Sequence, residues 1–193
     1  MINLDDYPLF LIKSSLRELS RDASDENNIQ YMTASEAQAI DFDGVKERYE
    51  HDLGLIGEHA SSVDAILTTP ESIVFIEFKN GNMKAEKAKV KTKLRDSLLI
   101  FGDITEKTIT YTRQKVDYIL VYNEQKNPLP NQLTRHVEQD VPSRRFIAKH
   151  IAQKGKQEFI LYDLERFKKL YFREVHTYTQ HEFDAFLHSH GIF

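Results

Sequence analysis

Ser61-Ser62-Val63-Asp64-Ala65-Ile66-Leu67-Thr68-Thr69-Pro70-Glu71-Ser72-Ile73-Val74-Phe75-Ile76-Glu77-Phe78-Lys79-Asn80-Gly81 is the stretch on which the reading of the whole chain turns. Val63 to Thr69 and Ile73 to Lys79 are rich in the β-branched and aromatic residues that suit a pleated surface, so each is read as a strand. Thr69-Pro70-Glu71-Ser72 is the loop between them, because Pro70 has no amide hydrogen for a ladder and fits a turn. A four-residue loop sets Thr68 opposite Ile73 and Asp64 opposite Glu77. Opposed residues share a face of the sheet, and Lys79, two residues beyond Glu77, shares it too. Two carboxylates and an ammonium therefore converge, whereas a slip of one residue would send Asp64 to the other face.

Working outward, Lys84 to about Phe101 carries Val90, Leu94, Leu98 and Phe101 at helical spacing. Lys84, Lys87, Lys91 and Arg95 form a second stripe away from that apolar line. Gly102 to Arg113 reads as a loop, and Val116-Asp117-Tyr118-Ile119-Leu120-Val121-Tyr122 as a central strand reached by a crossover connection, hence parallel to a neighbour. Upstream, Asp41-Phe42-Asp43-Gly44 leads into a helix capped by Asp43 and running through Val45, Tyr49 and Leu53 to Gly54. Thr33-Ala34-Ser35-Glu36 fits a capping box that would start another helix. Leu9, Ile12, Leu16 and Leu19 have the spacing of an amphipathic helix over Tyr7 to Leu19. Downstream, Asn123 to Gln132 reads as a loop, Ser143 to Ala152 as a helix, Glu158 to Tyr162 as a strand, and Leu164 to Phe172 and Glu182 to His188 as closing helices.

The chain of 193 residues suits one domain with a sizeable core. It has no run of apolar residues long enough to span a bilayer and no secretory leader pattern, so a cytoplasmic protein with no membrane partner is expected. The absence of cysteine excludes disulfides, thiolate metal sites and thiol nucleophiles. The net charge of −4 hides an asymmetry: from Lys79 to Arg95 seven basic residues face only Glu86. Such a local positive field suits an anionic partner. His176, His181, His188 and His190 gather near the C-terminus, but beside Phe183, Phe186 and Leu187 they read as the polar side of an amphipathic helix. Tyr118, Tyr122, Tyr162, Tyr171 and Phe172 read as core and core edge.

Asp64 and Glu77 supply the hard oxygen ligands that Mg²⁺ favours, and that ion is often held by one or two carboxylates plus substrate phosphate. An ammonium at Lys79 is placed to stabilise charge that develops on a phosphoryl group. On Asp64 and Glu77-Phe78-Lys79 the chain resembles the PD-(D/E)xK nuclease superfamily, with Val63 where the motif's name has proline. The resemblance covers about Thr33 to Tyr122 and implies an α/β protein with a mixed central sheet flanked by helices. Its expected core is the restriction endonuclease-like αβββαβ order, followed by a C-terminal helical extension over about 123–193. It further implies Mg²⁺ or Mn²⁺ on Asp64 and Glu77, helped by the Phe78 carbonyl, and Lys79 orienting the attacking water. An additional acid from the preceding helix, Glu36, Glu47 or Glu50, is common in that superfamily.

The expected function is metal-dependent hydrolysis of phosphodiester bonds in DNA, with Lys84, Lys87 and Lys91 on backbone phosphates and a homodimer suited to double-strand cleavage. The alternative is a non-catalytic module of the same fold that binds a protein partner, as an immunity, antitoxin or phage-defence component. A nucleic-acid binder without cleavage is a third reading.

Overall fold

The hairpin forms in the register that a four-residue loop dictates. In the computed structural model, which describes residues 1–24, 28–55, 60–128 and 160–193, Thr68 pairs with Ile73 and Ala65 with Ile76. The turn is held by Thr69: its amide donates to the Ser72 carbonyl at 2.8 Å, and its Oγ1 accepts from the Glu71 and Ser72 amides. Such hydroxyl-to-backbone bonds replace ladder bonds where the chain reverses.

Around this hairpin lies a six-stranded mixed sheet. In chain order the described elements are β1 (Lys13–Ser15), α1 (Leu16–Leu19), β2 (Arg21–Asp22), β3 (Gln30–Tyr31), β4 (Gln38–Asp41) and α2 (Phe42–Asp52). They continue as β5 (Ala65–Thr68), β6 (Ile73–Lys79), α3 (Met83–Thr105), α4 (Ile109–Lys115), β7 (Val116–Tyr122), β8 (Val175–Thr179) and α5 (Gln180–Ser189). The sheet order is β1-β4-β5-β6-β7-β8, and β2 with β3 makes a separate two-stranded ribbon. Pairing is antiparallel from β1 to β6 and parallel from β6 through β7 to β8. α3 provides the crossover between β6 and β7 that a parallel pair requires.

Alternation along β6 sorts its side chains between two cores. Ile73 and Phe75 face α2 and α3, with Phe42, Val45, Val90, Leu94 and Phe101, while Val74, Ile76 and Phe78 face Leu16, Met32, Phe183 and Leu187. Helices cover both faces, which is why β6 and β7 read as nearly unbroken apolar runs. On the α3 side the Phe75 ring meets Phe101 edge-on at 5.3 Å and Phe172 at 6.0 Å. Glu77 and Lys79 continue that face towards the end of the strand.

Several sequence expectations are corrected. Tyr7 to Leu19 is not one helix: it splits into a 3-10 turn at Pro8–Leu11, strand β1 and the single turn α1. The apolar residues were spaced for a helix, but Ser14 and Ser15 pair with Ala39 and Gln38 on the sheet edge. No helix starts at Thr33, whose hydroxyl instead donates to Asp184 at 2.8 Å. The cap of α2 is Asp41, not Asp43, with its Oδ1 accepting from the Gly44 amide at 3.0 Å. A side chain at Gly44 would lie 3.0 Å from Asp41 Oδ2 and 3.1 Å from Ile12, so glycine keeps this cap tight. α3 runs on through Gly102 to Thr105, and α4 occupies most of the rest of the expected loop.

The C-terminal part is not simply a helical extension, since β8 adds a strand to the sheet before α5. The sheet therefore reaches outside 33–122 at both ends. Leu164 to Phe172 holds a 3-10 turn at Glu165–Phe167 in place of the expected helix, and 160–162 is not a strand. The expected helix Ser143 to Ala152 lies outside the described residues. α5 begins with a capping box between Thr179 and Glu182 and buries Phe183 and Leu187, leaving His181 and His188 on its exposed side. Among the described residues no helix is long and apolar enough to cross a membrane.

Candidate functional site

The paired ladder of the hairpin stops at Ala65–Ile76, one pair short of Asp64 and Glu77. The Asp64 amide donates to the carbonyl of Ile76 at 3.1 Å, so Asp64 and Ala65 both meet Ile76, and the incoming chain bends as at a β-bulge. Such a bend re-aims a side chain, and here Asp64 turns across the end of the sheet. Its Oδ2 accepts from the Phe78 amide at 2.6 Å, and its Oδ1 accepts from the Lys93 ammonium at 2.8 Å. Two bonds from α3 hold the approach to this bend. Ser97 Oγ accepts from the Val63 amide at 2.8 Å, and Asp96 accepts from the Ser61 amide at 2.9 Å.

Glu77 is fully buried, and Lys79 projects from the same face of β6. Glu77 Oε1 lies 2.9 Å from Lys79 Nζ and 3.0 Å from Lys93 Nζ, while Oε2 accepts from Lys93 at 3.1 Å. Oε1 is thus in close contact with both ammonium groups. Lys79 also lies 3.7 Å from Glu86 of α3. Asp64, Glu77 and Lys79, singled out from the sequence, are thus brought together. Lys93 is the member that the sequence reading missed. Its signal was faint but present: Glu86, Lys93 and Ser97 stand at i, i+7 and i+11, a polar line beside the apolar Val90, Leu94 and Phe101.

Burial governs the electrostatics. Removing Glu77 from water, together with the nearby Asp64 charge, raises its pKa from 4.5 to about 7 against the pull of Lys93 and Lys79. Asp64 is also pushed up by burial, opposed chiefly by Lys93. For Lys93 burial works against the charge, yet the attraction of Asp64 and Glu77 prevails and holds the ammonium well above its ordinary range. Tyr118 lies beneath this group with no exposure and no hydrogen bond to its hydroxyl. Burial, then the charges of Glu77 and Asp64, keep that phenol protonated.

Asp64, Phe78 and Lys79 line a cleft of about 230 Å³ together with Arg21, Asp22 and Asn80. Strand β2 of the β2–β3 ribbon forms part of its wall. Asn80 ties that wall down, with its amide nitrogen 2.7 Å from Asp22 Oδ2 and 2.8 Å from Gln30 Oε1. Its own oxygen accepts from Asn123 at 2.7 Å, which links the ends of β6 and β7.

The remaining residues picked from the sequence lie apart. Glu36 pairs with Arg17 at 3.5 Å, Glu47 is exposed on α2, and Glu50 accepts from the Ala60 amide at 2.6 Å. Among the described residues no group of three or more histidine, aspartate and glutamate side chains is placed to hold a metal ion. Lys84 and Lys87 border a second cavity of about 450 Å³ with Lys126, Asn127 and Tyr162. Lys87 and Lys91 point their ammonium groups at Asp163, at 3.8 and 3.5 Å. Lys84 is therefore the most freely presented of the three expected phosphate contacts.

Asp64 and Glu77 bring together carboxylates, the hard oxygen donors that suit a divalent cation, and here these oxygens contact the Lys93 and Lys79 ammonium groups. The site rests on its own geometry, because no family model, no curated protein and no solved structure matches the chain.

Proposed function

We propose that this chain is a metal-dependent nuclease that hydrolyses phosphodiester bonds in DNA, with a restriction endonuclease-like core. The observation that carries the reading is the convergence of Asp64, Glu77 and Lys79 beside a polar cleft. The order β4-β5-β6-α3-β7, three antiparallel strands followed by a crossover to a parallel one, supports the core. It departs from the αβββαβ order in one respect, since α2 stands between the first and second strands.

Asp64 and Glu77 would hold Mg²⁺ or Mn²⁺. Such an ion would polarise a phosphoryl oxygen and acidify a bound water. The protein supplies the rest. The bend at Asp64 and the bond from the Phe78 amide fix one carboxylate, and the sheet fixes the other. Lys79, anchored between Glu77 and Glu86, would supply a positive charge to orient the attacking water and to offset the charge that grows on the phosphoryl oxygens. Lys84 would add a backbone-phosphate contact, which positions DNA without reading its sequence.

Cleavage of supercoiled and single-stranded DNA in Mg²⁺ or Mn²⁺ tests this reading. Asp64→Asn and Lys79→Met should each lower cleavage by at least 100-fold while leaving the circular dichroism spectrum unchanged. Equal cleavage by the variants, or none by the native chain, would refute it.

One observation favours a second reading, a non-catalytic module that binds a protein partner. Lys93 already bridges both acids, and a buried ion-pair group of this kind can be structural alone. In that case Mn²⁺ would not bind and a stoichiometric protein partner would be recovered.

A further inference from the structure

We propose that the Lys93 ammonium is a built-in counter-cation which occupies the place of the divalent ion between Asp64 and Glu77, so that the ion binds only as Lys93 withdraws. The proposal rests on the metal-centre reading above and adds an antagonist to it.

Lys93 Nζ is 2.8 Å from Asp64 Oδ1 and 3.0 Å from Glu77 Oε1, and its side chain is 12% exposed. Among the ion pairs of the described residues, Lys93 alone bridges both acids, whereas Lys79 reaches Glu77 and Glu86. Two buried carboxylates this close both ionise only with positive charge between them. One ammonium between them, with Lys79 alongside, brings the four groups to neutrality. With Glu86 beside Lys79 also counted, a divalent ion added while both ammonium groups stay leaves an uncompensated positive charge in a water-poor pocket, whereas withdrawal of Lys93 restores neutrality. Ion and ammonium therefore exclude each other.

The surroundings divide the two lysines by role. Glu77 keeps Lys79 when Lys93 leaves, and Lys79 keeps Glu86 when an ion takes Glu77. Lys93 has a long flexible stem, and α2 carries a half-exposed acid, Asp43, whose charge acts on Lys93 while its carboxylate pairs with Lys46 at 3.8 Å and accepts from Ser62 Oγ. A move towards that half-exposed side would keep Lys93 from becoming a stranded charge. Lys93 is thus a competitor of the ion, distinct from the water-orienting Lys79.

Titration calorimetry of Mn²⁺ into the full chain, with Asp64→Asn as the control, tests this. Lys93→Met should bind Mn²⁺ at least tenfold more tightly than the native chain, and Lys93→Arg, which keeps the charge, no more tightly. If Lys93→Met is poorly folded, Lys93→Gln and the melting temperature with and without Mn²⁺ replace it. A variant that folds only when Mn²⁺ is added supports the proposal, because the ion then does what the ammonium did. Asp64-dependent binding that is equal or weaker in Lys93→Met overturns the proposal and leaves the metal centre standing. Binding seen only in Lys93→Met supports the counter-cation and overturns catalysis by the native chain. No Asp64-dependent binding in either overturns both.

Discussion

Replacing Glu77 by glutamine should change how stability depends on pH, and the structure sets the size of the effect. Glu77 has its pKa raised from 4.5 to about 7, by burial first and by the Asp64 charge second. Between those values the folded chain holds a proton that the unfolded chain releases. Stability linked to Glu77 is therefore fully present below about pH 4.5 and is lost as pH rises through about 7. At about 1.4 kcal/mol per pH unit, the gap amounts to about 3 kcal/mol. The assay is urea unfolding of the native chain and Glu77→Gln at half-unit steps from pH 4 to 8.5. Glutamine cannot ionise, so the difference between the two curves isolates this group and those coupled to it. The native chain should lose about 3 kcal/mol relative to the variant across the window, with most of the loss complete by pH 7.5. A flat difference, or a native chain that gains stability with rising pH, would refute the claim that burial dominates the two lysines. Asp64, raised for the same reason, shifts in the same direction, and repeating the series on Asp64→Asn measures their coupling.

Two further outcomes test the supports of the site. Ser97→Ala removes the acceptor for the buried Val63 amide, so differential scanning calorimetry should show a loss of about 1–3 kcal/mol, and an unchanged melting temperature would mean that this bond does not hold the Asp64 bend. For DNA affinity, Lys84→Ala should reduce the slope of log K against log salt by about one, while Lys91→Ala, whose ammonium faces Asp163, changes it less; fluorescence anisotropy across salt concentrations gives both slopes, and a reversed order would contradict the placement of these side chains.

The hairpin was legible because a short loop leaves little freedom in register: once Thr69 to Ser72 are the turn, the shared face of Glu77 and Lys79 and the approach of Asp64 follow. The bulge was not legible, since it depends on Ser97 and Asp96 of a distant helix gripping the segment before β5. Lys93 stayed hidden inside a basic tract in which Lys84, Lys87, Lys91 and Arg95 formed the more regular stripe. Only the packing of α3 on β6 decides which lysine turns inward. Local periodicity misled at Tyr7 to Leu19, where edge pairing with β4 overrode helical spacing. It misled again at Thr33, where a partner 151 residues away in sequence took the hydroxyl. β8 alternates buried Val175 and Thr177 with the less buried His176 and Tyr178, a strand-like pattern short enough to be masked by the polar histidines around it.

Asn80 has every polar atom of its side chain engaged, two contacts to the β2–β3 ribbon and one to the end of β7. It is also the residue immediately after Lys79. The ribbon and the ammonium are therefore mechanically linked across a single peptide bond. To displace the ribbon is to break or strain the two contacts of Asn80, beside the backbone that carries Lys79.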